Sequence, residues 1–157
     1  MRIMKYRIET LSQTSVIGMK KEYATGQKAQ EGIFNFWMDF DDNGRKEQLA
    51  PLSNNKLEGI LGVFKPLENG EMHCLIGVTN DTEEGDWHRT ELSEGRYIVF
   101  DAQGPVPESI KKGMEKINRH ILPILDYELR DAPFFELYKE GLIRSDAYIT
   151  EIWLPII

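Results

Sequence analysis

A lone carboxylate set between aromatic rings is the stretch of this sequence with the most direct chemistry. In PFFELY, Pro133 to Tyr138, the residues Phe134, Phe135, Leu137 and Tyr138 are strand formers. A strand's period of two puts Phe134, Glu136 and Tyr138 on one face and Phe135 and Leu137 on the other. An ionised carboxylate in a dry site is costly unless a cation or a proton compensates it. Two readings are open at this stage. On a sheet edge or a wet face Glu136 is an ordinary solvated acid; in a closed site it is the partner of a cationic ligand or a proton-transfer group. The return strand, Ala147 to Leu154, carries Glu151 and Trp153 on one shared face. Glu151 is either a second acid near the first, where mutual repulsion would raise one pKa, or a wet residue on the sheet rim.

The elements that would position these residues recur. ILGVFK at Ile60 to Lys65 aligns without gaps on FFELYK at Phe134 to Lys139, which sets Gly62 opposite Glu136. That leaves room on one side and charge on the other, as a cleft needs, unless Gly62 marks only a strand bulge. Each segment lies in a hairpin, the first being Leu57–Lys65 with Glu71–Thr79. An extended stretch, Tyr6–Tyr23, broken at Ser12–Ser15, precedes a helical stripe of Ala29, Ile33, Phe36, Trp37 and Phe40, with Phe34 and Met38 off that stripe and so expected under a second cover. A second strand, Trp87–Asp101, precedes a helix over Pro107–Leu122 whose stripe is Val106, Ile110, Met114, Ile117 and Ile121. The expectation is an α+β fold: two pseudo-symmetric strand-helix-hairpin repeats, about 1–82 and 83–157, forming one antiparallel sheet backed by helices, with a ligand cleft between them. Each aromatic of this set, Trp37, Phe36, Phe134 and Tyr138, is either core packing or a wall of the cleft.

The closing hairpin, PFFELY followed by YITEIWLPI, resembles that of the GyrI-like, AraC-type effector-binding domains, whose pattern is roughly Pro-x-Phe-Glu-x-Tyr and then Ile-(Tyr/Trp)-Ile/Leu-Pro-Ile/Val. Glu94-Gly95-x-Tyr97-x-Val99-Phe100 resembles the first strand of the family's second half. The resemblance implies one domain over 1–157 that binds small, hydrophobic, often cationic and aromatic molecules between its repeats, as in multidrug-responsive transcription regulators and stand-alone integron-cassette members. It implies Glu136 as the charge partner, Trp153 as the aromatic of the last strand and Tyr97 as the tyrosine of Gly-x-Tyr. A rival implication is a small-molecule hydrolase, since some members of the wider family pair a Glu with a Tyr for that chemistry.

Composition bounds the alternatives. A formal charge of −7 speaks against a nucleic-acid surface, so transcription control would act through a separate DNA-binding chain or domain. One cysteine, Cys74, allows neither a disulfide framework nor a thiolate cage, and no stretch approaches the ~18 apolar residues of a membrane span, so a reducing cytoplasm is the expected location. His73, His88 and His120 fall in no metal spacing, and DFDDNG from Asp39 puts Ala50 where a calcium loop needs its Glu. No metal and no cofactor is expected.

Overall fold

The computed structural model describes residues 4–82 and 85–157. Its elements run β1 (Tyr6–Leu11), β2 (Thr14–Tyr23), α1 (Gly26–Asp42), α2 (Arg45–Leu49), β3 (Ile60–Pro66), β4 (Met72–Thr79), β5 (His88–Leu92), β6 (Gly95–Gln103), α3 (Glu108–Lys116), β7 (Phe134–Tyr138) and β8 (Ile149–Ile156). The strands form one antiparallel sheet ordered β1-β6-β8-β7-β3-β4-β2-β5. With the helices packed on it, this is the expected α+β architecture.

The order is the same from either edge, with β7 and β3 at the centre. Their register sets Gly62 against Glu136, and only at that pair does it coincide with the alignment of ILGVFK on FFELYK. The approximate twofold axis therefore passes between a residue with no side chain and a carboxylate. The expected division of the repeats, at 82/83, borders positions 83–84, which lie outside the described residues. What the residue pattern did not disclose is an exchange of outer strands. The break at Ser12 and Gln13, where Thr14 Oγ1 donates to the Ser12 carbonyl at 2.8 Å, lets β1 leave its own repeat and pair with β6. Conversely β5, just ahead of β6 in the chain, pairs with β2.

Helix α1 begins where Thr25 caps it, its hydroxyl accepting from Lys28 N at 3.1 Å. It buries Ala29, Phe36 and Phe40 on the sheet. Phe34 and Met38, expected under a second cover, are instead 60% and 46% exposed, because α1 has the sheet on one side only. The DFDDNG run is helical through Asp42, and the Asn43 N–H closes the helix on Asp39 O. Helix α3 lies over the second repeat and continues as a π-helical turn, Ile117–Ile121, burying Ile110, Ile117 and Ile121. No helix among the described residues is long and apolar enough to cross a membrane.

Between sheet and helices the apolar layer divides in two. One cluster under α1 includes Phe36, Phe40, Ile76 and Val78; the other, under α3, includes Ile98, Phe100, Ile117 and Ile152. The opposite sheet face carries one cluster with members from all eight strands, among them Leu11, Val63, Leu92, Tyr97, Phe135 and Trp153. For side chains of both outer strands to join one cluster, the sheet must curl around it. The backbones of β2 and β4 approach closely at the cross-strand pair Gly18 and Gly77: a Cβ at Gly77 would stand 1.8 Å from the Ile17 carbonyl oxygen, and one at Gly18 2.0 Å from that of Ile76.

Candidate functional site

The gap between the two helix-covered clusters is a hollow of about 780 Å³ with Glu136 among its lining residues. The parity of β7 fixes this: Phe134, Glu136 and Tyr138 point to the helix side, Phe135 and Leu137 to the curled side. Ile33, Phe34, Trp37 and Met38 of α1 form one wall, and Val106, Pro107 and Ile110 at the start of α3 form the facing one. The segment after β7 supplies Gly141, Ile143 and Tyr148, and the passage after α2 supplies Ser53 and Asn55. That passage begins with a short 3-10 turn, Ala50–Leu52.

At the floor, Tyr138 Oη donates to Glu136 Oε1 at 2.6 Å. The Tyr138 ring meets Trp37 edge to face at 4.9 Å, and Trp37 covers Gly62, where an added Cβ would approach its Cζ2 to 3.2 Å. Phe64, also lining the hollow, stacks on Phe134 at 5.1 Å. Among the described residues, no lysine, arginine or histidine forms an ion pair with Glu136. Burial raises its pKa to about 7, against the opposing pull of the Tyr138 hydrogen bond. Burial, with the Glu136 charge adding to it, pushes the Tyr138 phenol well above its ordinary value and the Cys74 thiol up to about 12. Cys74 is therefore an inert packing thiol rather than a nucleophile.

The structure brings Glu136, Tyr138 and Trp37 together, with Phe134 and Gly62 directly behind them. It does not bring the other four residues to the hollow. Phe36 is fully buried between α1 and the sheet. Trp153 is the cross-strand partner of Phe135 and Val99, so it shares their face, the curled one, where it stacks on Phe135 at 5.1 Å. Tyr97 sits in the same cluster, its hydroxyl donating to the Ser93 carbonyl at 3.0 Å. Glu151 is on that face too, within 3.1 Å of Arg7 Nη2 and 3.4 Å of Lys139 Nζ, and it accepts from the Trp153 indole at 3.0 Å. Burial alone would raise its pKa, but the indole and the two cations outweigh it and hold the carboxyl below the usual range. The two acids therefore lie on opposite sides of the sheet, one compensated and one not. Phe34 and Met38 belong to the hollow's wall although they were expected to pack; their position off the apolar stripe of α1 was the signal.

A family model described as the GyrI-like small molecule binding domain matches residues 4–157. The chain belongs to the GyrI-like family. Among solved structures, one from Staphylococcus aureus MU50, described as a candidate bacterial transcription regulation protein, is 35% identical with a TM-score of 0.91, covering 98% of each chain. A second, of a protein bound to tetraphenylphosphonium, is 35% identical with a TM-score of 0.92 and covers 98% of this chain and 94% of that one. An integron cassette protein from the mobile metagenome of Vibrio cholerae, at 18% identity, TM-score 0.70, and 97% and 95% coverage, shares the GyrI-like fold. No curated protein sequence matches the chain. A GyrI-like domain is a ligand-binding module, and the hollow between the repeats has an acid without an ion-pair partner among its lining residues.

Proposed function

We propose that this chain binds a small, hydrophobic, positively charged organic molecule in the hollow, with Glu136 as charge partner, and acts as an effector-sensing module for transcription through a separate DNA-binding chain or domain. The observation that carries the reading is a carboxylate without a countercharge beneath aromatic rings. A delocalised cation is attracted by ring faces, at about 0.5 to 2 kcal/mol each, and by the carboxylate more strongly where water is excluded. The 35% identical structure bound to tetraphenylphosphonium, a lipophilic cation, supports the same ligand class. The exposed apolar groups at the entrance, Phe34, Met38 and Ile143, are contacts such a ligand would cover.

Tetraphenylphosphonium and tetraphenylborate have nearly the same shape and opposite charge, so together they test the reading. The cation is expected to bind and quench tryptophan fluorescence, a response that disappears in Trp37→Phe because Trp87 and Trp153 do not line this hollow. At pH 8 the borate is expected to bind about a hundredfold more weakly. Equal binding of the two ions would remove Glu136 as a charge partner.

The 2.6 Å bond between Glu136 and Tyr138 favours a second reading, small-molecule hydrolysis with the carboxyl as general acid or base. Its expected result is turnover of an ester or strained-ring substrate near pH 7 that is lost in Glu136→Gln. An unchanged rate in that variant would sink it.

A further inference from the structure

We propose that Glu136 holds a proton while the hollow is empty, that a cationic ligand displaces this proton, and that neutral hydrogen-bond acceptors bind the same hollow as long as the proton stays. The proposal rests on the binding reading above and adds to it what occupies the carboxyl before the ligand does.

The geometry on every side of the carboxyl is that of an acid with no ionic partner. On its own strand Tyr138 Oη donates to Oε1, while Oε2 has no hydrogen-bond partner among the described residues. Its cross-strand neighbours are Gly62 on β3 and Ile152 on β8, neither of which carries a polar side chain. From β4, Cys74 adds a buried thiol whose own ionisation Glu136 opposes. Above it stands the Trp37 ring over Gly62.

The charged groups of the hollow are Asp41 on α1, Lys46 on α2, Glu58 ahead of β3, Lys111 on α3, and Lys139 and Glu140 after β7. The three lysines are matched in number by three acids, and of these lysines Lys139 is already paired with Glu151 at 3.4 Å. The Tyr148 hydroxyl is committed to the Lys139 carbonyl at 2.7 Å. No fixed positive charge therefore holds Glu136 ionised, and its pKa of about 7 agrees with a proton that is retained but exchangeable near neutrality.

The exchange balances simply. The O–H bond at Glu136 breaks, the proton passes to water or buffer, and the carboxylate is left paired with the ligand cation. While protonated, the same group is a neutral O–H donor facing a ligand that has an acceptor oxygen and no charge.

Tetraphenylphosphonium and triphenylphosphine oxide test both halves, since neither probe changes its charge between pH 5.5 and 8.5. Affinity for the phosphonium is expected to rise about tenfold per pH unit up to pH 7 and then level off. Calorimetry in buffers of different ionisation enthalpy should show about one proton released per ligand at pH 5.5 and almost none at pH 8.5. Affinity for the phosphine oxide should follow the opposite profile. Tyr138→Phe, which removes the bond favouring the ion, is expected to move both midpoints to higher pH. Glu136→Gln, a permanently neutral donor, should bind the oxide at pH 8.5 as well as the parent does at pH 5.5. Tight phosphonium binding that is flat with pH and releases no proton would overturn the proposal and leave the cation reading standing. A phosphine oxide profile flat with pH would overturn its second half. No phosphonium binding at any pH would overturn both the proposal and the reading beneath it.

Discussion

At pH 8 the Glu136→Gln variant is expected to resist urea better than the parent chain and to bind tetraphenylphosphonium about a hundredfold more weakly. The two effects have one cause. The folded-state pKa of Glu136 is about 7, above the ordinary carboxylate value of 4.5. Between those values the folded chain keeps a proton that the unfolded chain has released, so folding stability falls as pH rises through the window. At about 1.4 kcal/mol per pH unit, the loss is complete above pH 7 and on the order of 3 kcal/mol. That figure is an upper value, because Glu136 retains some solvent contact through the hollow. Gln keeps the shape and an acceptor for Tyr138 but never carries the charge. Urea denaturation at pH 4.5 and pH 8 separates the terms: the variants should differ little at the lower pH and most at the higher. A parent chain as stable as Glu136→Gln at pH 8 would show that the carboxylate costs nothing where it sits.

Gly77→Ala is expected to have the largest effect on folding, a loss of about 3 kcal/mol or more. The new methyl would stand 1.8 Å from Ile17 O and 2.9 Å from Gly18 Cα, and both are backbone atoms of the paired strand. No rotamer change relieves such a contact; β2 and β4 must separate at this pair, where their backbones come close. Gly18→Ala meets the same wall from the other side, at 2.0 Å from Ile76 O. The two substitutions should not add, since the first already parts the strands that the second would part. Urea midpoints of both single variants and the double variant measure this, and a Gly77→Ala chain with the parent's midpoint would mean that the strands yield there at no cost.

How far the sequence could be read depended on whether a property was local. Strand period alone put Phe134, Glu136 and Tyr138 on one face, and an ungapped repeat put Gly62 opposite Glu136; both relations are present in the fold. Helical period found the buried residues Ala29, Phe36 and Phe40 of the first expected helix and Ile110, Ile117 and Ile121 of the second, while Ile33, Trp37 and Val106 of the same stripes line the hollow. Trp153 and Tyr97, named through the family resemblance, lie away from the hollow, and strand period could not have shown this, because it says which residues share a face but not which face meets the helices. Only the register of β8 on β7, Trp153 against Phe135, decides that. The acid at 151 was open for the same reason, and its partner Arg7 is 144 positions away in the chain. The outer-strand exchange was hidden because pairing of β1 with β6 leaves no mark on the composition of either strand.

That exchange bears on how a bound guest could be sensed. Each half of the sheet is finished by a strand that enters from the opposite repeat, β1 on one side and β5 on the other. The halves are thus clasped like folded arms, and prising them apart along the central seam would strip ladders at both margins at once. If the chain senses a guest as proposed, the helices and connecting segments that wall the hollow are the parts that could shift without breaking those ladders.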